Sequence, residues 1–247
     1  RRERPWCTRA HARYYSEEAF SHGVKAYAPA AARLLDMQDF HALRLARQRA
    51  VCGAGVADAL RTFPSALDRT LSRELASLHR SDGALVCSAA EKELLCNHYG
   101  CPESKLFQAA FYLPLRQYEV PEADFSARTG FATIGTFRHA PNLDAVRWLA
   151  SDIWPLIRER LRGATLDVYG SHPSASVMAL HQPQEGFCVR GHAKSLDVLR
   201  RARVLLAPIR FGAGLRTKIV DAWARGTPVA TTPVGAEGLF DAGGGPA

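Results

Sequence analysis

Short apolar runs and helical segments alternate along the 247-residue chain, most clearly from 204 to 239, VLLAPIRFGAGLRTKIVDAWARGTPVATTPVGAEGL. Residues 204–209 are continuously apolar, as expected of a strand buried on both faces in a parallel sheet. A turn with two glycines, Gly212 and Gly214, follows Arg210. The period then becomes helical over 215–225: Leu215, Ile219 and Ala222 share one face, and Lys218, Asp221 and Arg225 another. Gly226 is placed to end the helix, and 228–233 reads as the next strand. The same rhythm is weaker upstream. Strands are expected over 31–35, 84–88, 106–111, 131–137, 165–170 and 186–191, and helices over 67–78, 89–99 and 195–202. Such alternation predicts an α/β fold with parallel sheets. Residues 1–30 hold Trp6, Tyr14, Tyr15, Phe20 and Tyr27 without a clear period, and 114–129 collects prolines and charges in the manner of a linker.

Composition adds a bias in partners. The net charge of +8 suits nucleotide diphosphates, nucleic acid or anionic lipid. Only Lys25, Lys92, Lys105, Lys194 and Lys218 are lysines, so arginine carries most of the charge, and coding bias explains it as well as selection does. No arginine-rich block is interleaved with aromatics, which argues against nucleic acid. The six cysteines form no C-x-x-C and no zinc spacing with histidine; Cys87 and Cys188 sit in apolar runs and read as core residues, and a reducing compartment is the default. No apolar run is long enough to span a bilayer. Gly53 and Gly55 follow an arginine-rich helical run rather than a strand, which excludes a dinucleotide fingerprint.

The candidate chemistry is anion binding. A helix starting near Gly214 would aim N–H groups and its positive end at the glycine turn, with Arg210 and Lys218 adding charge and Asp221 one turn on to accept sugar hydroxyls. The plain alternative is a solvated ion pair between Lys218 and Asp221. Asp39 and His41 follow the strand at 31–35, where open α/β sheets place ligands, although Asp39 also suits a helix cap. Ser88 and Glu91 read as a capping box. His172 and His192 lie at strand ends without a named partner.

Taken in order, Gly212, Gly214, Lys218, Asp221-Ala222, Gly226-Thr227-Pro228-Val229 and Gly235-Ala236-Glu237-Gly238 resemble the donor-binding segment of retaining GT-B glycosyltransferases of the group 1/family 4 class. Two acids eight apart in many members correspond here to Ala213 and Asp221. The resemblance extends to Asp39, His41, Arg44 and Arg47, to the unit at 84–111, and to Gly135, Arg138 and Pro141-Asn142. It implies two Rossmann-like domains: an incomplete N-terminal acceptor-side domain over 1–113, a linker over 114–129, and a donor-nucleotide domain over 130–247 shortened at its C-terminus.

By that resemblance the activity is transfer of a sugar, hexosyltransferase-like, from a nucleotide-diphosphate sugar to a glycan, lipid or small-molecule acceptor hydroxyl, without a metal. Lys218, Asp221 and Arg210 would be catalytic; Gly135, Arg138, Gly212, Gly214, Leu215 and Glu237 would hold the donor; Asp39 and His41 would face the acceptor. The location implied is cytoplasmic or the cytosolic face of a membrane, with the arginine-bearing helix after Asp39 able to touch that membrane or simply to be solvated. Alternatives are a sugar-nucleotide epimerase, for which no acid/base pair is evident in the C-terminal half, and a non-catalytic sugar-nucleotide or protein-binding module.

Overall fold

The computed structural model describes residues 8–55, 59–109 and 125–240, which fall into two compact units. The first unit comprises residues 1–111 with 212–215 and 237–247; the second comprises 112–211 and 216–236. Trp6, Cys7 and most of the segment expected as a linker lie outside the described residues.

In the first unit, strands β1 (Thr8–Ala12), β2 (Ala32–Asp36), β3 (Gly83–Val86) and β4 (Leu106–Gln108) form one parallel sheet in that order. Ala10 stands opposite Leu34, Leu34 opposite Gly83, and Ala84 opposite Leu106. The helices are α1 (Tyr14–Tyr27), α2 (His41–Ala54), α3 (Arg69–Arg80) and α4 (Ala89–Asn97). Their apolar residues meet the sheet in a core of Leu35, Phe40, Leu43, Leu71, Leu78 and Leu95, which also takes in Ala213. The stretch 1–30, in which no period was expected, contains β1 and α1. The buried face of α1 is polar: Glu17 and Ser21 are the buried residues, and the Glu17 carboxylate is gripped by Arg80. A hydrophobic period therefore never appears. The helix expected at 67–78 starts at Arg69, because the Asp68 carboxylate accepts hydrogen bonds from Thr70 and Leu71 and fixes the first turn there. Gly55 closes α2 in the left-handed conformation, a helix terminator and not part of a nucleotide loop.

The second unit has strands β5 (Phe131–Ile134), β6 (Leu166–Tyr169), β7 (Phe187–Gly191), β8 (Val204–Ala207) and β9 (Val229–Thr231). All pair in parallel, in the order β7-β6-β5-β8-β9. Between them come α5 (Ala140–Trp148), α6 (Trp154–Arg160), α7 (Ala175–Met178) and α8 (Thr217–Trp223), and α9 (Pro233–Ala236) follows β9. Leu166, Val168, Phe187, Val189 and Leu206 of the sheet pack on Val146, Leu149 and Trp154. A wide turn of π-helix, Leu149–Ile153, joins α5 to α6, and the Trp154 N–H reaches back to the Leu149 carbonyl. Pro155, in the first turn of α6, has no N–H with which to continue a regular ladder through that point. The helix expected at 195–202 is a 3-10 turn, Leu196–Arg201, capped by Ser195.

Candidate functional site

The strand order of the second sheet reverses between β5 and β8: the chain runs outward to β6 and β7 on one side and to β9 on the other. Crevices beyond the carboxyl ends of strands at such a switch point are where open α/β sheets bind ligands. Gly135, Asn142 and Lys218 come together there, around a cavity of about 10 Å³ shared with Thr133, Phe137 and Tyr169. The Lys218 ammonium donates to Asn142 Oδ1 at 2.6 Å, and Asn142 Nδ2 donates to the Thr136 carbonyl at 3.0 Å. A Cβ on Gly135 would sit 2.6 Å from Asn142 Nδ2 and 2.9 Å from Lys218 Nζ. The Gly135→Ala variant is therefore expected to displace the lysine while the fold persists; the Lys218 titration followed by NMR alongside near-UV circular dichroism checks both parts.

Burial, helped by the neighbouring Arg216 charge, pushes the Lys218 ammonium down to about 7. Arg216 is buried and donates to the Val234 carbonyl at 3.3 Å. Two cationic groups thus lie close together at one end of the sheet. Arg210 is held by Asp144, Nε to Oδ2 at 2.8 Å, and its guanidinium lies 5.3 Å from the Trp148 ring centre. Asp221 is engaged by Arg225 rather than by Lys218, so the ion pair weighed in the sequence does not form; burial raises its carboxyl above the usual range. Arg138, His172 and His192 are exposed.

The helix carrying Lys218 begins at Thr217, not near Gly214, and has seven residues. Gly212, Gly214, Leu215 and Glu237 belong to the first unit. There Arg47, 1% exposed, donates to the Gly212 carbonyl at 2.9 Å, the Leu60 carbonyl at 3.1 Å and Glu237 Oε1 at 2.7 Å. The Gly214 N–H, expected to face a ligand, donates to Glu91 Oε1 at 2.7 Å. That carboxylate also accepts the Phe40 N–H at 3.0 Å and lies 3.4 Å from the Cys87 thiol. Ser88 caps α4 as expected, accepting the Glu91 N–H at 3.2 Å, but the Glu91 side chain does not complete the box. Gly214 has φ +71, and a Cβ on it would meet Asp39 and Gln38 at 3.1 Å. Ala213, in place of the first acid, is 7% exposed within the apolar core, where a carboxylate would be desolvated.

Asp39 and His41 are likewise engaged. Asp39 accepts from Arg44 at 2.7 Å, and His41 Nδ1 lies 3.4 Å from Glu74 and 3.5 Å from Asp39. Asp39 does not cap α2; Glu74 does, accepting the N–H groups of His41 and Ala42 at 2.9 and 2.8 Å. Arg47 is buried and Arg49 pairs with Asp68, so the arginines of α2 form no uniformly solvated face. Sequence reasoning assigned no role to Asn142 or Arg216, and gave the Glu91 carboxylate that of a helix cap in place of its bonds to Phe40 and Gly214. Asn142 and Arg216 carried a signal, one directly after Pro141 and the other two residues before Lys218. Among the described residues no group of three or more His, Cys, Asp or Glu could hold a metal ion, and no helix is long and apolar enough to cross a membrane.

Residues 128–244 match the family model described as Glycosyl transferases group 1. No curated protein matches the chain significantly. Among solved structures, S. aureus TarM superimposes with a TM-score of 0.69 at 10% identity, over 96% of this chain and 44% of TarM. Pneumococcal GtfA, an O-GlcNAc transferase solved with UDP and GlcNAc, gives 0.61 at 16%, over 92% of this chain and 43% of its own. Anabaena Alr3699/HepE, solved with UDP, gives 0.63 at 12%, over 96% and 63%. The chain thus spans less than two thirds of the length of each of these structures. Residues 128–244 carry the group 1 glycosyltransferase pattern, and the two parallel-sheet units give the chain the α/β fold of the GT-B glycosyltransferases.

Proposed function

We propose that this chain forms part of a glycosyltransferase that moves a sugar from a nucleotide-diphosphate donor to an acceptor hydroxyl with retention of configuration. The observation that carries this reading is Lys218 beside Arg216 and Gly135 at the switch point of the second sheet, within the segment that matches the family. Protonated Lys218 and Arg216 would offset the charge that grows on the departing diphosphate, in a site with little water to screen it. Asp221 would exchange its contact with Arg225 for ribose hydroxyls. Arg210, already clamped by Asp144, would contribute field rather than a direct contact. No metal is needed in this scheme, because the cations of the site do the neutralising.

UDP is the first nucleotide to test, since GtfA and HepE were solved with it. Calorimetric titration of UDP, GDP and ADP should give binding by one of them. Lys218 titrates near 7 in the unliganded protein and near 10.5 in water, so an arriving diphosphate should restore its charge. Above pH 7 binding should therefore take up a proton, approaching one per site at pH 8, and affinity should fall as pH rises. Repeating the titration in buffers of different ionisation enthalpy measures this uptake, with Lys218→Met correcting for the nucleotide's own protons. No binding by any of the three, with the protein shown folded, would remove the donor site.

Two observations favour a second reading, a sugar-nucleotide-binding module without turnover. Ala213 replaces the first acid, and Glu91 already occupies the Gly214 N–H. Release of UDP from a UDP-sugar only when an acceptor is added would decide for the transferase.

A further inference from the structure

We propose that Asn142 is a positioning residue that holds Lys218 ready for the diphosphate, an inference that rests on the donor-site reading above. Pro141 and Asn142 lie in the first turn of α5, where the Asn142 N–H donates to the His139 carbonyl at 3.0 Å. The side-chain amide is then fixed from both ends. Its Nδ2 donates to the Thr136 carbonyl, which leaves Oδ1 turned to the Lys218 ammonium at 2.6 Å. The absent side chain of Gly135 keeps that contact open, since a Cβ would stand within 3 Å of both partners.

The chemistry of the acceptor matters as much as its place. An amide oxygen orients an ammonium through one neutral hydrogen bond and surrenders it to an incoming anion. A carboxylate in the same place would form an ion pair and compete with that anion. The carboxylates of the two helices are spent elsewhere: Asp144 of α5 on Arg210, and Asp221 of α8 on Arg225. Of the other ionisable groups around Lys218, Arg216 repels its charge, and Tyr169 of β6 lines the cavity with its phenol pushed upward by burial and by Asp167. Among the described residues the lysine thus meets the cavity with a neutral acceptor, Asn142, and no carboxylate paired to it.

The test compares wild type with Asn142→Asp and Asn142→Ala. Lysine-selective carbon labelling allows the Lys218 titration to be followed by NMR without ligand, because the chain has only four other lysines, at 25, 92, 105 and 194. Asn142→Asp should raise the Lys218 titration by about one pH unit or more, as a carboxylate at hydrogen-bond distance does. Its UDP affinity should fall about tenfold, the worth of a charge-assisted hydrogen bond diverted from the ligand. Asn142→Ala should lower the titration and weaken binding most at pH 8, with recovery toward pH 6.5; a merely structural change would weaken binding equally at both. Nucleotide binding with an unchanged Lys218 titration in both folded variants would overturn the role of Asn142. Shifted titrations in a protein that binds none of UDP, GDP or ADP would instead overturn the donor-site reading and leave the Asn142–Lys218 pair standing.

Discussion

Lys218→Met is expected to weaken nucleoside diphosphate binding by about 10- to 150-fold, the range covered by about 1.5–3 kcal/mol for hydrogen bonds to a charged group. Methionine keeps the apolar stem of the lysine and removes its ammonium, so loss of binding reports the charge and not a cavity. The same variant should be more stable than wild type in acid. In the folded protein the ammonium titrates near 7, far below its value of 10.5 in water. Between those values the unfolded chain holds more protons than the folded one, so wild-type stability rises with pH across the window and is penalised in full below it. The melting temperature of Lys218→Met should therefore exceed that of wild type at pH 6, and the gap should close toward pH 10. A variant that binds UDP as wild type does would remove Lys218 from the site. One that melts lower than wild type at pH 6 would show that the ammonium is better solvated than its surroundings indicate.

Glu91→Ala should cost the most stability. The Glu91 carboxylate is 4% exposed and takes up the backbone N–H groups of Phe40 and Gly214. Alanine would strand both buried donors, at about 1–3 kcal/mol each and so about 2–6 kcal/mol together. Glu91→Gln retains an acceptor oxygen and should remain within about 1 kcal/mol of wild type, because it also relieves the burial of a charge. Burial holds the Glu91 carboxyl above its usual value of 4.5. From that pH upward through its folded titration the native state carries the extra proton, and stability falls as pH rises. Glutamine should thus gain on wild type as pH increases over that window. Urea denaturation at several pH values measures all three proteins. An alanine variant as stable as wild type would mean that water replaces the carboxylate at both N–H groups.

The place of Lys218 was evident in the chain itself, and the partners of Glu91 were not. Lys218 follows a buried strand and a glycine turn, so its place at the carboxyl end of a parallel sheet followed from local pattern alone. Glu91 follows Ser88 at capping distance, and local pattern assigned its carboxylate to the wrong donor. Its partners lie 51 and 123 residues away in sequence. Likewise the ion pair weighed between Asp221 and Lys218 three residues back does not form, and the helix turns Asp221 to Arg225 four residues on. The polar buried face of α1 left no hydrophobic period to read, because Glu17 engages Arg80, Ser77 and Ser21 instead of filling an apolar core.

By itself the sequence determined the α/β alternation, most strand positions, the chain's resemblance to group 1 glycosyltransferases, and the place of Lys218 after a buried strand and a glycine turn. These depend on hydrophobic period, turn chemistry and short spacings, which are properties of neighbouring residues. Tertiary structure alone decided which acid meets which base. Asp144 goes to Arg210, Glu237 to Arg47, Glu91 to the Gly214 N–H and Asn142 to Lys218, each across 66 residues or more. It also placed Ala213 in the core of the first unit and Arg216 beside Lys218. Burial and long-range pairing set the charge state of a side chain, and neither is encoded in the residues next to it in the chain.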